Sequence, residues 1–200
     1  MKRYKNIVFD LGGVVFSRDP RKFEPEFIKF FSYVYLPKMP RFWEEYDRGA
    51  VSYDEMIEAL MEYNSCDREL ADRNVQRSIV TQEEVLPTKH LVQSLKAAGY
   101  KLYVLSNMSK EFIEFLRQKE VYSLFDGEVV SCEELCVKPE AEIYRRIESR
   151  YNLLPSETLF VDDREANIVA ARERGWEGYL FDHHAPEDSC KELYAMLLEK

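Results

Sequence analysis

Short apolar runs alternate with longer amphipathic stretches over most of this chain. The short runs predict five β-strands, at residues 6–10, 101–106, 128–131, 158–162 and 177–181. The stretches between them have the spacing of amphipathic helices, at residues 87–98, 110–119, 139–151 and 164–174. Strands that alternate with helices are typical of parallel sheets with crossover helices, so the pattern predicts an α/β fold with a doubly wound parallel sheet.

One segment, residues 19–84, interrupts this alternation because it has helical spacing and no strand-like run. Its clearest helix begins after Ser52, which is placed to cap the helix together with Glu55. The pattern predicts a small all-helical cap inserted after the first strand, at residues 19–84, and a core made of residues 1–18 and 85–200. The alternative is that these helices form one more layer of the same domain.

The composition narrows the class of protein. The 200 residues carry 37 acidic and 28 basic side chains, and the net charge of −9 gives no reason to expect binding to nucleic acid or to an anionic membrane. The apolar stretch before Asp10 is too short for a signal peptide or a membrane span, and the four cysteines lack the spacing of a zinc site. We therefore expect a cytoplasmic protein with reduced thiols, a monomer or weak dimer that binds neither nucleic acid nor membrane.

Polar side chains stand at the ends of three predicted strands, and one lysine stands before a predicted helix. They are Asp10, Ser106, Asn107, Asp162, Asp163 and Lys138. Because parallel strands bring their carboxyl ends to one edge of the sheet, we expect these side chains to lie together. Clustered carboxylates repel one another unless a cation neutralises them, and hard oxygen ligands beside a phosphate favour Mg²⁺. The pattern predicts a Mg²⁺ site next to a lysine and a hydroxyl that hold a phosphoryl group.

These residues lie in four short motifs, FDLGGVV, VLSN, VKPE and FVDDREANI, in that order along the chain. The motifs resemble those of the haloacid dehalogenase (HAD) superfamily in order and spacing, and the helical segment after the first motif resembles its small C1 cap. The resemblance covers nearly the whole chain. It implies a Rossmann-like core and a covalent aspartyl-phosphate mechanism, in a subgroup similar to the bacterial glucose-1-phosphate phosphatases.

The resemblance also implies a role for each acid at the strand ends. Asp10 would be the nucleophile and a ligand of Mg²⁺, and Asp162 would be a second ligand. Asp163 would support the metal directly or through water, and the backbone carbonyl of Gly12 would turn toward it. The implied enzyme is therefore a Mg²⁺-dependent phosphatase.

The other motif residues would hold the phosphoryl group. By the same resemblance Ser106 and Asn107 would contact the phosphoryl group and the substrate. Lys138 would bridge the phosphoryl group and Asp10, so these two residues would carry the catalysis. At Gly13 the missing side chain would let a backbone amide approach the phosphoryl oxygens closely.

The first motif departs from the pattern of most phosphatases in this superfamily. They carry a second aspartate two residues after the nucleophile, acting as general acid and base, and here that position is Gly12. Loss of such a group costs about 10²- to 10⁴-fold in rate when proton transfer matters. Three interpretations follow: a phosphatase whose leaving group is protonated by water, by the substrate or by a cap residue; a dehalogenase whose halide needs no proton; or a noncatalytic binding protein. The pair Asp162 and Asp163 favours the phosphatase, because chemistry without Mg²⁺ has no use for adjacent acids.

The predicted cap carries the aromatic residues Phe42, Trp43 and Tyr46 beside Arg48 and Gly49. These aromatic side chains either face the substrate or form the core of the cap, since pockets and cores both draw on aromatic residues. A cap of this size leaves room for a small phosphorylated metabolite such as a sugar phosphate. Its closure over the site would set the specificity of the enzyme.

Two further polar clusters are predicted to have no part in the site. The acids Glu44, Glu45 and Asp47 are predicted to lie on a solvated face of the cap. His183 and His184 follow the last predicted strand, and no third ligand stands at a useful spacing from them. They are predicted to lie in a surface loop.

Overall fold

The computed structural model describes residues 3–36 and 38–199. Residues 1, 2 and 200 of the predicted core, and residue 37 of the predicted cap, lie outside the described residues. The strands in the described part are β1 (Asn6–Phe9), β2 (Phe16–Ser17), β3 (Glu83–Glu84), β4 (Lys101–Ser106), β5 (Gly127–Val130), β6 (Thr158–Asp162) and β7 (Glu177–Leu180).

Ten α-helices connect or follow these strands within the described ranges. They are α1 (Pro25–Phe30), α2 (Arg41–Arg48), α3 (Tyr53–Asn64), α4 (Arg68–Val80), α5 (Leu86–Ala97), α6 (Lys110–Leu116), α7 (Ser131–Glu134), α8 (Ala141–Tyr151), α9 (Glu165–Glu173) and α10 (Pro186–Leu198). Short 3₁₀ turns occur at Pro20–Lys22, Ser32–Tyr35, Glu120–Leu124 and Pro155–Glu157.

Five of the strands form one parallel sheet in the order β5-β4-β1-β6-β7. The central strand is β1, where Ile7 is in register with Leu102 of β4 and with Leu159 of β6. The chain winds outward from β1 in one direction through β4 and β5, and in the other through β6 and β7. The strand order therefore reverses beside β1, which is the place where ligands bind in open α/β sheets. The predicted doubly wound parallel sheet is confirmed.

The two faces of the sheet are covered by different helices. Ile7 and Phe9 of β1 pack in one buried cluster with side chains of α5, α6 and α10. Val8 points to the other face and packs with side chains of α8 and α9. The alternation along β1 thus places helices on both faces, as a doubly wound sheet requires.

Several element boundaries differ from the sequence prediction. The first strand ends at Phe9, one residue before Asp10, and the third predicted strand ends at Val130 because Ser131 begins the short helix α7. The pair β2 and β3 was not predicted, since two residues are too few for a periodic pattern. Helix α10 is a further element that the predicted set lacks.

Helices α1 to α4 lie between β2 and β3, and we call residues 18–82 the helical segment. Ser52 and Glu55 form the predicted capping box at the start of α3. The buried cluster of this segment is largely aromatic and includes Trp43 and Tyr46, and Phe112 of α6 joins it from the core. Of the two interpretations of the aromatics, the structure favours the core of the segment.

The four cysteines are free thiols in the structure. Among the described residues, each helix is too short or too polar to serve as a transmembrane span.

Candidate active site

Asp10 lies directly after β1, and the end of that strand holds its backbone in place. Its N–H donates to the carbonyl of Val161 in β6 at 2.9 Å, so the residue stays tied to the sheet edge. Ser106, the last residue of β4, donates from its hydroxyl to Asp10 Oδ1 at 2.8 Å. Both side chains are buried, and the register of β1 with β4 brings them together.

Lys138 lies between the acids of β1 and β6. Its Nζ is 2.8 Å from Asp10 Oδ1 and 2.6 Å from Asp162 Oδ2, and its side chain is 1% exposed. Burial favours the neutral amine, but the two carboxylates outweigh it and raise the pKa of Lys138. Burial also raises the pKa of Asp162, against the attraction of Lys138. A buried ammonium with two partners is positioned to neutralise charge that develops beside Asp10.

Asn107 supports Lys138 through the backbone. Its side-chain amide donates to the carbonyl of Lys138 at 2.9 Å, and its Oδ1 accepts from the Lys138 N–H at 2.7 Å. Both polar ends of the Asn107 side chain are thus engaged in holding the loop that carries the lysine. The contact of Asn107 with a phosphoryl group stays a prediction.

Asp162 has a second fixed partner that the sequence analysis did not assign to the site. The amide of Asn167, on the first turns of α9, donates to both carboxylate oxygens of Asp162 at 3.0 Å. The N–H of Arg164 adds a third bond at 2.8 Å. Asn167 follows Asp162 by five residues in the fourth motif, and that spacing was the signal that could have identified it.

The three acids form a group suited to a divalent cation. Asp10, Asp162 and Asp163 each offer a carboxylate oxygen, and these oxygens lie within 4.8 Å of one another. Burial and the charges of Asp10 and Asp162 raise the pKa of Asp163 to about 7. Such repulsion is what a bound cation relieves, so the donor set fits Mg²⁺.

Two adjacent glycines in the loop after β1 have different reasons to be glycine. Gly13 has a φ of +75°, and a Cβ there would lie 2.5 Å from Asp163 Oδ2. Its N–H donates to the carbonyl of Phe16 at 2.8 Å, so a contact of this N–H with a phosphoryl group stays a prediction. Apart from chain neighbours, a Cβ at Gly12 would have no heavy atom within 4 Å, which leaves open space in the loop that follows Asp10. The turn of the Gly12 carbonyl toward a metal also stays a prediction.

The predicted surface loop at residues 183 and 184 returns to the edge of the acid group. Both histidines are exposed, and His183 Nδ1 lies 3.3 Å from Asp163 Oδ2. Burial and the neighbouring His184 lower the pKa of His183, which favours the neutral imidazole. The sequence carried no signal for this contact, because the loop returns to the site only in the folded chain.

One of the three acids predicted to lie on the solvated face of α2 also faces charged groups of the core. All three side chains are half-buried; Glu44 and Glu45 pair with arginines of the same helix, whereas Asp47 interacts with Arg164 and Asp10. There the N–H of Ser109 and the charge of Arg164 favour its carboxylate form. Burial outweighs both and, with the charges of Asp10 and Glu44, raises the pKa of Asp47 to about 8.

A family model described as haloacid dehalogenase-like hydrolase matches residues 4–175. The chain belongs to this family. The predicted family, the Rossmann-like fold and the expectation of an enzyme are confirmed together, and we refer to the protein from here as the hydrolase.

Relatives and solved structures agree with this assignment. The hydrolase is 28% identical over 193 residues to a sesquiterpene phosphatase of Aspergillus oryzae, covering 95% of both chains. It is 29% identical over 191 residues to a D-ribitol-5-phosphate phosphatase of Bacteroides thetaiotaomicron, covering 88% of this chain and 90% of the relative. Its fold is similar to that of a HAD family enzyme from the same bacterium, crystallised as a variant with magnesium and inorganic phosphate. That likeness has a TM-score of 0.72 at 21% identity over 90% of this chain and 95% of that one.

Proposed function

We propose that the hydrolase is a Mg²⁺-dependent phosphatase that cleaves small phosphate monoesters such as sugar phosphates. The observation that carries this proposal is the buried contact of one carboxylate, Asp10, with both a hydroxyl and an ammonium group beside two further acids. The names of two relatives, both phosphatases, support the class of reaction.

In the proposed mechanism Asp10 attacks the phosphorus atom of the ester and forms an aspartyl-phosphate. The bond from phosphorus to the leaving oxygen breaks, and its electron pair stays on that oxygen. Ser106 Oγ and Lys138 Nζ, both 2.8 Å from Asp10 Oδ1, orient the nucleophile and hold the transferred phosphoryl oxygens. Water then attacks the aspartyl-phosphate and releases phosphate and the free carboxylate of Asp10.

Asp10, Asp162 and Asp163, with the carbonyl of Gly12, would hold the Mg²⁺. The ion supplies charge neutralisation for the phosphoryl oxygens during transfer. Asn167 keeps the carboxylate of Asp162 in one orientation through two hydrogen bonds, so that the acid is preorganised for binding. Lys138 lies against two of these acids, and its charge offsets part of their mutual repulsion.

The helical segment is proposed to act as the cap of the enzyme, with residues 19–84 as cap and residues 1–18 and 85–200 as core. The relatives are named for a sesquiterpene and for a sugar-alcohol phosphate, two very different leaving groups. Both are small phosphorylated metabolites, so we propose a partner of this kind and no nucleic acid or membrane partner. A cytoplasmic location and a monomer or weak dimer stay predictions.

The test is phosphate release from a panel of sugar phosphates, sugar-alcohol phosphates and prenyl phosphates, with Mg²⁺ and with a chelator. We expect turnover with Mg²⁺, loss of turnover with the chelator, and a melting temperature that rises in millimolar Mg²⁺. Chelator-resistant activity with chloride release from 2-chloropropionate would instead support the dehalogenase interpretation. A protein inactive in both assays would support the noncatalytic one.

A further inference from the structure

The reaction proposed above lacks a proton donor in the usual place. The position that carries this acid in most phosphatases of the superfamily is Gly12, and the space beside Gly12 is open. An alkoxide or phenoxide leaving oxygen is a poor leaving group unless it receives a proton during cleavage. A second acid that reaches the site from another element would supply it.

Helix α2 of the helical segment is held against the core at its C-terminal end. Tyr46 donates to the carboxylate of Glu111, and Arg48 forms an ion pair with Glu140 at 2.6 Å. Ser131 donates from its buried hydroxyl to the backbone carbonyl of Asp47. The backbone of Asp47 is therefore fixed relative to the strand ends, because the residues before and after it in α2, Tyr46 and Arg48, also bond to the core.

The side chain of Asp47 faces the loop that follows Ser106. The N–H of Ser109 in this loop points at its carboxyl, and the carboxylate of Asp10 is near enough to raise its pKa. The hydroxyl of Tyr33 is buried and has no hydrogen-bond partner among the described residues. It lies close enough to Asp47 for the charge of Asp47 to raise the pKa of Tyr33. The titratable and charged groups that face Asp47 are Asp10 after β1, Arg164 after β6, Cys132 in α7, and Glu44 and Tyr33 in the helical segment.

We propose that Asp47 is the general acid and base of this enzyme, and this inference rests on the proposed phosphatase function. Burial favours its protonated form, since the pKa of about 8 leaves the carboxyl largely protonated at pH 7. A protonated carboxyl at the junction of the two parts is what proton donation requires. The acid would thus come from the helical segment, which is proposed above to act as the cap.

The proton balance of the two steps is complete. As Asp10 attacks phosphorus, the bond to the leaving oxygen breaks, and the carboxyl proton of Asp47 moves to that oxygen. In the second step the carboxylate of Asp47 takes a proton from the attacking water, and the bond from phosphorus to Asp10 breaks. One ester and one water become one alcohol and one phosphate, and both aspartates return to their first state.

The test compares phenyl phosphate with p-nitrophenyl phosphate, which are close in size but differ in the basicity of the leaving oxygen. We expect Asp47→Asn to lower kcat/KM for phenyl phosphate by about 10²- to 10⁴-fold and for p-nitrophenyl phosphate by less than about tenfold. The parameter kcat/KM reports the first phosphoryl transfer, which is the step in which the proton is donated. In the wild type, kcat/KM for phenyl phosphate should fall as pH rises through the pKa of Asp47, and this limb should be absent in the variant.

The matched control is Glu45→Gln on the same helix, because Glu45 pairs only with the exposed Arg41 among the described residues. It should leave both rates unchanged. Equal loss for the two substrates in Asp47→Asn, or no loss, would overturn the inference while the phosphatase function stands. If Asp47→Asn does not fold, the two esters are compared with the wild-type enzyme alone. A wild-type kcat/KM that is much higher for p-nitrophenyl phosphate than for phenyl phosphate would show that no acid assists, and it would overturn the inference. A wild type inactive on these esters and on the metabolite panel removes the proposed function, and the inference with it.

Discussion

In the core, the side chains of the site follow strands that lie next to one another, whereas Asp47 comes to the same place from a helix of the helical segment. Asp10, Ser106 and Asp162 are brought together by the register of β1, β4 and β6. Asp47 is brought there by contacts of α2 with α6 and α7. Backbone pairing thus positions the proposed nucleophile, and side-chain packing positions the proposed acid.

The difference shows where variation is tolerated. A strand end cannot move without breaking the hydrogen bonds of the sheet, so we expect the core half of the site to vary little with the substrate. The position of a packed helix depends on the side chains beneath it. Substitutions under α2 can therefore change the part of the site that is proposed to contact the leaving group. The two relatives, named for very different phosphate esters, are consistent with this division.

The largest effect is expected at the centre of the core half. Asp10→Asn removes the proposed nucleophile, and we expect kcat to fall by at least about 10³-fold because the covalent step is lost. The variant should stay folded, since Lys138 keeps its second partner, Asp162. Phosphate release and thermal unfolding of the same preparation check this. A folded variant that keeps a tenth of the activity, by an order-of-magnitude criterion, would contradict the assignment.

The next largest effect is a difference in unfolding free energy between variants of two cations. Lys138 lies in the core, and Arg48 lies where the helical segment meets the core. Lys138→Met leaves Asp10 and Asp162 without their shared partner, and breaking a buried pair costs about 3 to 5 kcal/mol of unfolding free energy. Arg48→Met breaks a half-exposed pair with Glu140 and should cost about 1 kcal/mol or less. Urea unfolding without Mg²⁺ measures both. Equal losses would show that the junction is as tightly built as the core.

A smaller effect separates the two glycines of the first loop. Gly13→Ala forces a side chain into a left-handed conformation against Asp163, and we expect a loss of about 1 to 3 kcal/mol of unfolding free energy. Gly12→Ala meets open space and should change stability by about 0.5 kcal/mol or less. Paired denaturation curves give the comparison. A costly Gly12→Ala would mean that the space beside the nucleophile is smaller than the structure shows.

The last effect is a change of stability with pH, and it concerns the charge of Asp47. Its pKa in the folded protein, about 8, lies above the ordinary value, so the folded state binds more protons than the unfolded state between the two values. Stability from this group is complete at low pH and is lost as pH rises toward 8. The stability of Asp47→Asn relative to the wild type should therefore increase from pH 5 to pH 8, measured by urea unfolding. A constant difference would place the carboxyl in water.

The core half of the site could be predicted from the sequence because it depends on short-range information. A polar residue after an apolar run marks a strand end, and parallel strands bring their ends to one edge, so Asp10, Ser106 and Asp162 follow from the pattern. The β-strands and most helices follow in the same way, with shifts of one to three residues at their ends. The exceptions are the two-residue strands β2 and β3, which are too short to show a period, and helix α10, which the predicted set lacks.

The other half could not be predicted because it depends on how α2 packs on the core. Glu44, Glu45 and Asp47 look alike in the sequence, and only the rotation of the helix against α6 and α7 separates the acid that faces the core from the two that pair within α2. The contact of His183 with Asp163 likewise depends on the path of a loop in space. Such contacts leave no periodic signal.

The antiparallel pair of β2 and β3 makes the helical segment a removable unit in protein engineering. Phe16 pairs with Glu84 and Ser17 with Glu83, so the chain leaves and re-enters the core on two strands about 4.8 Å apart. A two-residue hairpin turn spans that separation and could replace the whole segment. The excision would uncover Phe112 of α6, whose side chain packs among the segment's aromatics, so a polar residue there would have to accompany it. The same two strands would accept a segment from another hydrolase, which would change the leaving-group half of the site and keep Asp10 and its partners in place.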